Sequence, residues 1–548
     1  MLARINSFGL IGIGGLKICI EIDVSGGTPT IDMVGLPDAS VKESKERVKS
    51  AIRNSGFVFP PKRMTVNLAP ADIRKEGAMY DLPISLGILA ATGQLDLDTP
   101  NPFCKPLNQT LPNQNHSNQS TAPQNHSNQN SAPSKKNSVP LSEYIVIGEL
   151  SLYGEVKEVK GILPIIIAAK QDGYTNFIIP QKNAQEASFV DNVNVFAFAH
   201  LHEIVDFLKN KTTCRPVTKQ DIFSHLKTNK SEQDFKYVKG QSIAKRAMEI
   251  AAAGSHNLLL IGPPGGGKTM LAKCMPSILP ILTASEALET TKIHSVAGNL
   301  NQSVGIVTTR PFRTPHHTSS RVALTGGGSA VKPGEVSLAH NGVLFLDELP
   351  EYDRTTLEIL RQPLEDRSIT ISRALRTVEY PANFMLVASM NPCPCGFAGS
   401  KKECVCSPVQ VQKYMSRLSG PLLDRIDLHI EVDNVSYDEL TAPPNAEPSE
   451  KIRDRVNRAR QIQLNRFKGS DIYSNGLMTN QMVDEFCTLC PKSKELLKSA
   501  FMTLGLSARA YVRIRKVART IADLENSLEI APNHIAEAIG YRTLDRTI

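Results

Sequence analysis

Leu258-Leu259-Leu260-Ile261-Gly262-Pro263-Pro264-Gly265-Gly266-Gly267-Lys268-Thr269 decides how the rest of the chain is read. Its four apolar residues predict a short buried strand, and G-x-x-x-x-G-K-T follows directly and opens a helix over 270–275. The glycines let backbone N–H groups converge on phosphate oxygens at a helix N-terminus. Lys268 can reach the β and γ phosphates, and the Thr269 hydroxyl can ligate Mg²⁺. Residues 262–269 are therefore expected to bind ATP. The bland alternative, a Gly-rich turn without a ligand, fits the strand, loop and helix context poorly.

Two further apolar strands bring chemistry to the same place. Residues 343–346, Val-Leu-Phe-Leu, end in Asp347-Glu348, where one carboxylate can hold Mg²⁺ (Asp347) and its neighbour can act as the base on the attacking water (Glu348). A strand over 384–388 delivers Asn391, whose amide could hold that water against the γ-phosphate. Arg425, inside Leu422-Leu423-Asp424-Arg425-Ile426-Asp427, reads either as a surface ion pair or as an arginine finger reaching a neighbour's ATP. Ser507-Ala508-Arg509 opens a helix with Ile514, Val517, Ala518 and Ile521 on one apolar stripe and Arg509 and Arg513 on another face.

With 548 residues, at about 150 per domain, three to four domains are expected. The fold class is α/β. From Gly240-Gln241 through the Arg509 helix the chain resembles an AAA+ ATPase of the magnesium-chelatase and MCM-like branch. The whole chain outside one polar insert is similar to the YifB/ComM family. The matching pieces are Gly262 to Thr269, Phe312-Arg313-Thr314-Pro315-His316-His317, Pro333 to His340, Val343 to Glu348 and Ser389-Met390-Asn391-Pro392-Cys393. That resemblance implies an AAA+ core over 236–436 with a helical lid over 437–548. It makes Asn391 sensor 1, Arg425 the arginine finger and Arg509 sensor 2, in a hexameric ring.

Residues 1–209 resemble the α+β ribosomal-S5-like fold shared with the Lon protease domain, followed by a linker over 210–235. Lys75-Glu76-Gly77-Ala78-Met79-Tyr80-Asp81 then places Met79 at the Lon nucleophile, and Lys160-Gly161-Ile162-Leu163 places Leu163 at the general base. A Ser–Lys dyad needs an alcohol and an amine within reach of each other. Ser85 and Lys160 are the nearest substitutes, so no peptidase activity is expected. The insert, 101–140, repeats Asn-His-Ser-Asn-Gln at 115–119 and 125–129 and is too polar to build a core, which predicts a disordered loop.

Cys393-Pro394-Cys395 and Cys404-Val405-Cys406 place four thiols where one hairpin could gather them around a structural Zn²⁺. Metal-free reduced thiols and a redox pair remain open. Ten Cys in a chain this long argue against a disulfide framework and for a cytoplasmic protein. Cys487 and Cys490 read as buried thiols on one helical face. The apolar runs at 8–16 and 161–169 are too short to span a bilayer, the first being expected as strand and turn.

Lys and Arg outnumber Asp and Glu by 62 to 54, a net +8 that permits a nucleic-acid partner without demanding it. Local clusters decide. The excursion 299–341 carries Gly326-Gly327-Gly328 flanked by Arg321 and Lys332, and a hairpin over 368–384 places Arg373 and Arg376 near its turn. In the MCM-like branch that the chain resembles, the corresponding insert points into the ring channel, where six copies would present positive charge; the resemblance thus implies single-stranded or branched DNA as the partner, with recombination proteins. The alternative is a pair of solvated loops whose basic residues do nothing specific. Two other classes compete: a magnesium-chelatase-type motor subunit and a chaperone-like unfoldase. The basic helix with Arg453, Arg455, Arg458 and Arg460 is the fallback DNA surface.

Overall fold

The computed structural model describes residues 2–96, 140–226, 233–328, 331–373, 376–399, 402–435, 437–441, 446–542 and 544. Nearly all of the polar insert, and 227–232 of the linker, lie outside them. The chain divides into two compact units, 1–221 with 295–306, and 222–294 with 307–548.

The first unit is built on a seven-stranded mixed sheet. Its order is Ile31–Val34, Arg63–Ala69, Gly14–Ser25, Leu2–Ile11, Tyr144–Val146, Asn176–Pro180, Asn194–Phe198. The first two long strands form a hairpin with Ile5 opposite Ile20, both fully buried. The Asp81–Ala91 helix is buried along its whole length. Its Asp81 carboxylate is held by Ser44 and by Arg47 at 2.7 Å. Burial raises the pKa of that carboxyl, against the lowering effect of these two partners. Residues 295–306, which lie between P-loop elements in the sequence, belong here: Ser295 donates to the buried carboxylate of Glu186, and Gln185 reaches the Val304 carbonyl.

The second unit holds five parallel strands in the order Phe312–Arg313, Val343–Leu346, Met385–Met390, Leu258–Ile261, Leu428–Glu431. Parallel strands need crossover helices, which cover both faces and make the strands apolar throughout. Leu258–Ile261, Val343–Leu346 and Met385–Met390 are buried at every position. This is the AAA+ α/β core that the resemblance implies, and its parallel strands direct their carboxyl ends to one edge, where ligands bind in such sheets. The P-loop helix is Lys268–Ile278, longer at both ends than 270–275.

The helical lid belongs to the same unit. Ser507 caps the Ala508–Leu524 helix by accepting from the Ala510 N–H, and Ile514, Val517, Ala518 and Ile521 are all buried. Asp427 joins core to lid: it accepts from the Asn257 N–H at 2.8 Å and pairs with Arg513, and these charges hold its carboxyl far below the usual range despite burial. Cys487 and Cys490 do not share a helical face. Cys487, buried, caps the C-terminus of the Asn480–Phe486 helix, and Cys490, only partly buried, is the N-cap of Pro491–Leu504, whose first residue Pro491 can start a helix but not continue one.

Candidate active site

Three strand ends converge on the phosphate loop. Gly262 follows the Leu258–Ile261 strand and its N–H donates to the Met390 carbonyl at 3.2 Å. A Cβ on Gly262 would sit 2.2 Å from the Val432 carbonyl oxygen, so only glycine lets the loop leave the sheet there. Gly265 and Gly267 take φ of +80° and +85°, left-handed turns that L side chains rarely adopt. Gln241, itself left-handed at φ +58°, grips the loop from outside, its amide donating to the Asp433 carbonyl at 2.5 Å and reaching that of Gly266 at 3.4 Å.

Lys268 points back into this cradle. Its ammonium donates to the carbonyls of Gly262 at 2.7 Å and Pro263 at 2.9 Å, and to the Asn391 Oδ1 at 3.1 Å. Burial lowers its pKa, and the carboxylates of Asp347 and Glu348 oppose that shift. Thr269 Oγ1 donates to Asp347 Oδ2 at 2.8 Å, so the two oxygens expected to hold Mg²⁺ are already adjacent. Hard oxygen donors beside a lysine and a glycine loop fit a nucleotide–Mg²⁺ pair. Glu348 leaves the strand in a left-handed conformation at φ +53°, and its carboxylate is half exposed.

Sequence reasoning missed three groups here. Ser389 donates its hydroxyl to Asp347 Oδ1 and lies 3.4 Å from the Glu348 N–H, so it orients both acids. His317 Nδ1 lies 3.7 Å from Glu348 Oε2, its ring tilted against that of His316 at 4.1 Å and edge-on to Tyr352. Gln241 is the third. The quoted motifs contained all three, but nothing in their spacing said which side chains would turn inward.

Arg425 and Arg509 stand apart from the phosphate loop. Both line one cavity of about 590 Å³ with Arg367, Arg513 and Lys516, and no residue of 262–269 lines it. Arg425 is buried, paired with Glu365 and donating to the Pro421 carbonyl at 2.7 Å. Arg509 is half exposed, 3.9 Å from Asp424.

The two basic hairpins meet. Arg373 faces Arg376 across the ribbon Ser368–Arg373 with Arg376–Pro381. A Cβ on Gly327 would lie 3.2 Å from the Arg373 guanidinium and 3.3 Å from Val322, while Lys332 pairs with Gly327 across its own short ribbon. Tyr380 Oη fastens the ribbons by donating to the Val331 carbonyl at 2.7 Å. Lys332 and Arg373 at this meeting are exposed, as is Arg321, which precedes Val322; the Arg376 side chain lies outside the described residues. On the fallback helix Arg455 pairs with Glu249 and Glu447 and Arg460 is buried against the Tyr473 and Ala252 carbonyls, while Arg458 is exposed.

The four sulfurs of Cys393, Cys395, Cys404 and Cys406 lie within 4.8 Å of one another, the Cys393–Cys395, Cys395–Cys404 and Cys393–Cys404 pairs at 3.4, 3.6 and 3.7 Å. A tetrahedron with Zn–S bonds of about 2.3 Å has edges of about 3.8 Å, so the set fits zinc. The Ala398 N–H donates to Cys393 Sγ at 3.3 Å and that of Cys395 to Cys406 Sγ at 3.4 Å, contacts that suit thiolates. In the first unit Ser85 is sealed inside its helix, Lys160 is exposed beside Gly298, and the Leu163 N–H donates to Glu186.

The family comparisons agree with this geometry. Profiles described as magnesium chelatase, subunit ChlI, match residues 234–440; subunit ChlI of Mg-chelatase matches 20–104 and 130–183; and the ChlI C-terminal profile matches 446–542. The chain is 41% identical to competence protein ComM of Haemophilus influenzae and 39% identical to YifB of Escherichia coli, covering 100% of this chain and 98% of each relative. The magnesium-chelatase 38 kDa subunit of Cereibacter sphaeroides is 25% identical over 29% of this chain and 52% of its own length. No helix among the described residues is long and apolar enough to cross a membrane.

Proposed function

This chain belongs to the YifB/ComM family of magnesium-chelatase-like AAA+ ATPases, and from that premise we propose that its ATP hydrolysis drives a hexameric ring on DNA. The ring would promote branch migration in homologous recombination or natural transformation, in keeping with the competence name of the Haemophilus relative. The observation that carries this reading is the meeting of the two basic hairpins around Gly327, which brings exposed Lys332 and Arg373 together, with exposed Arg321 next in sequence to the contacting Val322. Such a cluster suits a phosphate backbone and reads no bases.

Lys268 would exchange its loop carbonyls for the β and γ phosphates, while Thr269 and Asp347 hold Mg²⁺. Bound Mg²⁺ would neutralise charge developing on the phosphates. Glu348 accepts the proton of the attacking water and Asn391 orients that water. Arg425 and Arg509, sharing a cavity that the phosphate loop does not line, act on the nucleotide of a neighbouring subunit. The four cysteines hold a structural zinc. The first unit hydrolyses no peptides, since neither Ser85 nor Lys160 is placed for a dyad.

The test is the ATPase rate of the full chain with and without single-stranded, duplex and forked DNA. Strong stimulation by DNA supports the motor. A flat response contradicts it and favours a chelatase-type or protein-remodelling motor.

A further inference from the structure

The four-cysteine loop is attached to the catalytic machinery at three points. Its first ligand, Cys393, is fully buried two residues after Asn391, whose Oδ1 receives the Lys268 ammonium. The loop then turns back at Gly396, φ +84°, whose N–H donates to the Cys393 carbonyl at 2.9 Å. A Cβ there would lie 2.5 Å from Pro264 of the phosphate loop and 3.8 Å from the Asn391 side chain. The last ligand, Cys406, precedes the Pro408–Met415 helix, capped by Ser407. That helix returns Tyr414, which is buried, to face the backbone amide of Asn391.

We propose that this loop, closed around zinc, is a positioning device for Asn391 and the phosphate loop, so that metal occupancy sets the rate of ATP turnover. The inference rests on the zinc reading above. Thiol–thiol contacts are weak, so without the ion little fixes the path from Cys393 to Cys406. With the ion, both flanks of Asn391 are pinned: the chain leaving it through Cys393, and its backbone amide through Tyr414. Gly396 carries the same constraint to Pro264. The residues act through Asn391 and touch no reacting atom themselves.

The experiment compares full-length wild type, Cys395→Ser with Cys404→Ser, Cys404→His alone and Tyr414→Phe. Each is assayed for zinc content, affinity for a fluorescent ATP analogue, kcat and thermal stability. Wild type is expected to hold one zinc per chain, and Co²⁺ exchanged into it should show the absorption of a tetrahedral thiolate site. The double Cys variant should lose the metal, keep nucleotide affinity within about threefold and lose roughly 10–100-fold in kcat. Cys404→His, which keeps a ligand, should retain zinc and most of the turnover. Tyr414→Phe should keep zinc and nucleotide affinity and still lose kcat. Wild type without zinc would overturn the zinc reading itself. A folded, zinc-free double variant with wild-type kcat would overturn the positioning role and leave the zinc reading standing. Should the double variant fail to fold, unchanged kcat in zinc-loaded Tyr414→Phe overturns it instead.

Discussion

At Asp347 three hydroxyl and amide donors meet one carboxylate: Thr269 at 2.8 Å, the Glu348 N–H at 3.1 Å, and Ser389. A metal-holding carboxylate oriented by a neighbouring strand loses precision when that neighbour goes. Ser389→Ala is expected to lower Mg²⁺-dependent turnover by roughly 10–100-fold while ATP binding survives. Steady-state ATPase at varied Mg²⁺ checks this, and an unchanged Mg²⁺ dependence would exclude the role. By contrast Lys268→Ala should abolish tight ATP binding, and Glu348→Gln should bind and not turn over. Equilibrium binding beside single-turnover hydrolysis separates the two. Lys268, Thr269, Asp347 and Asn391 were legible because a sequence motif or a strand end fixes each. Ser389, His317 and Gln241 were not, since their roles depend on which way a side chain turns within a strand or loop.

Elements were legible where their burial is uniform. Four-residue apolar runs such as Val343–Leu346, too short for a helix, read as central strands of a covered parallel sheet, and they appear where expected. Cys487 and Cys490 were misplaced because periodicity cannot see a break made by Pro491. The basic ribbons were legible as charge. Their contact through Tyr380, Val331 and Gly327 is tertiary and left no trace in spacing. Arg373→Ala with Arg376→Ala should leave DNA-free ATPase near wild type, weaken DNA binding uniformly across sequences and flatten its salt dependence. Titration with single-stranded DNA at several salt concentrations reads this; unchanged affinity would move the surface elsewhere.

His429, on the edge strand of the P-loop sheet, adds a pH dependence. Burial, with Arg542 nearby, pushes its imidazole down to about 3. The unfolded chain binds that proton near pH 6.5 and the folded chain does not, so unfolded molecules hold more protons between those values. Stability must therefore fall as pH falls from about 6.5 towards 3, by about 1.4 kcal/mol per pH unit for this one group. Denaturant unfolding of wild type and His429→Gln across pH 4–6.5 should show a shallower slope in the variant. Parallel slopes would contradict the assignment.

At the scale of the molecule, 295–306 belongs to the first unit although sequence order places it within the second. No local pattern announces such an exchange, because it is set by partners such as Glu186 and Gln185 more than a hundred residues away. The separation of Arg425 and Arg509 from the phosphate loop is likewise visible only in three dimensions. Under the proposal that Arg425 and Arg509 act in trans, the complete active site is a property of two neighbouring subunits. Displacement of a labelled strand from forked DNA by the full chain tests that account and the DNA motor together. Wild type should displace the strand only with ATP; Glu348→Gln, Lys268→Ala and Arg425→Ala should each fail alone; and mixed rings of Lys268→Ala with Arg425→Ala should regain part of the activity, because some interfaces recover a whole site. Wild type that hydrolyses ATP and displaces nothing, or confirmed mixed rings with no recovery, would contradict it.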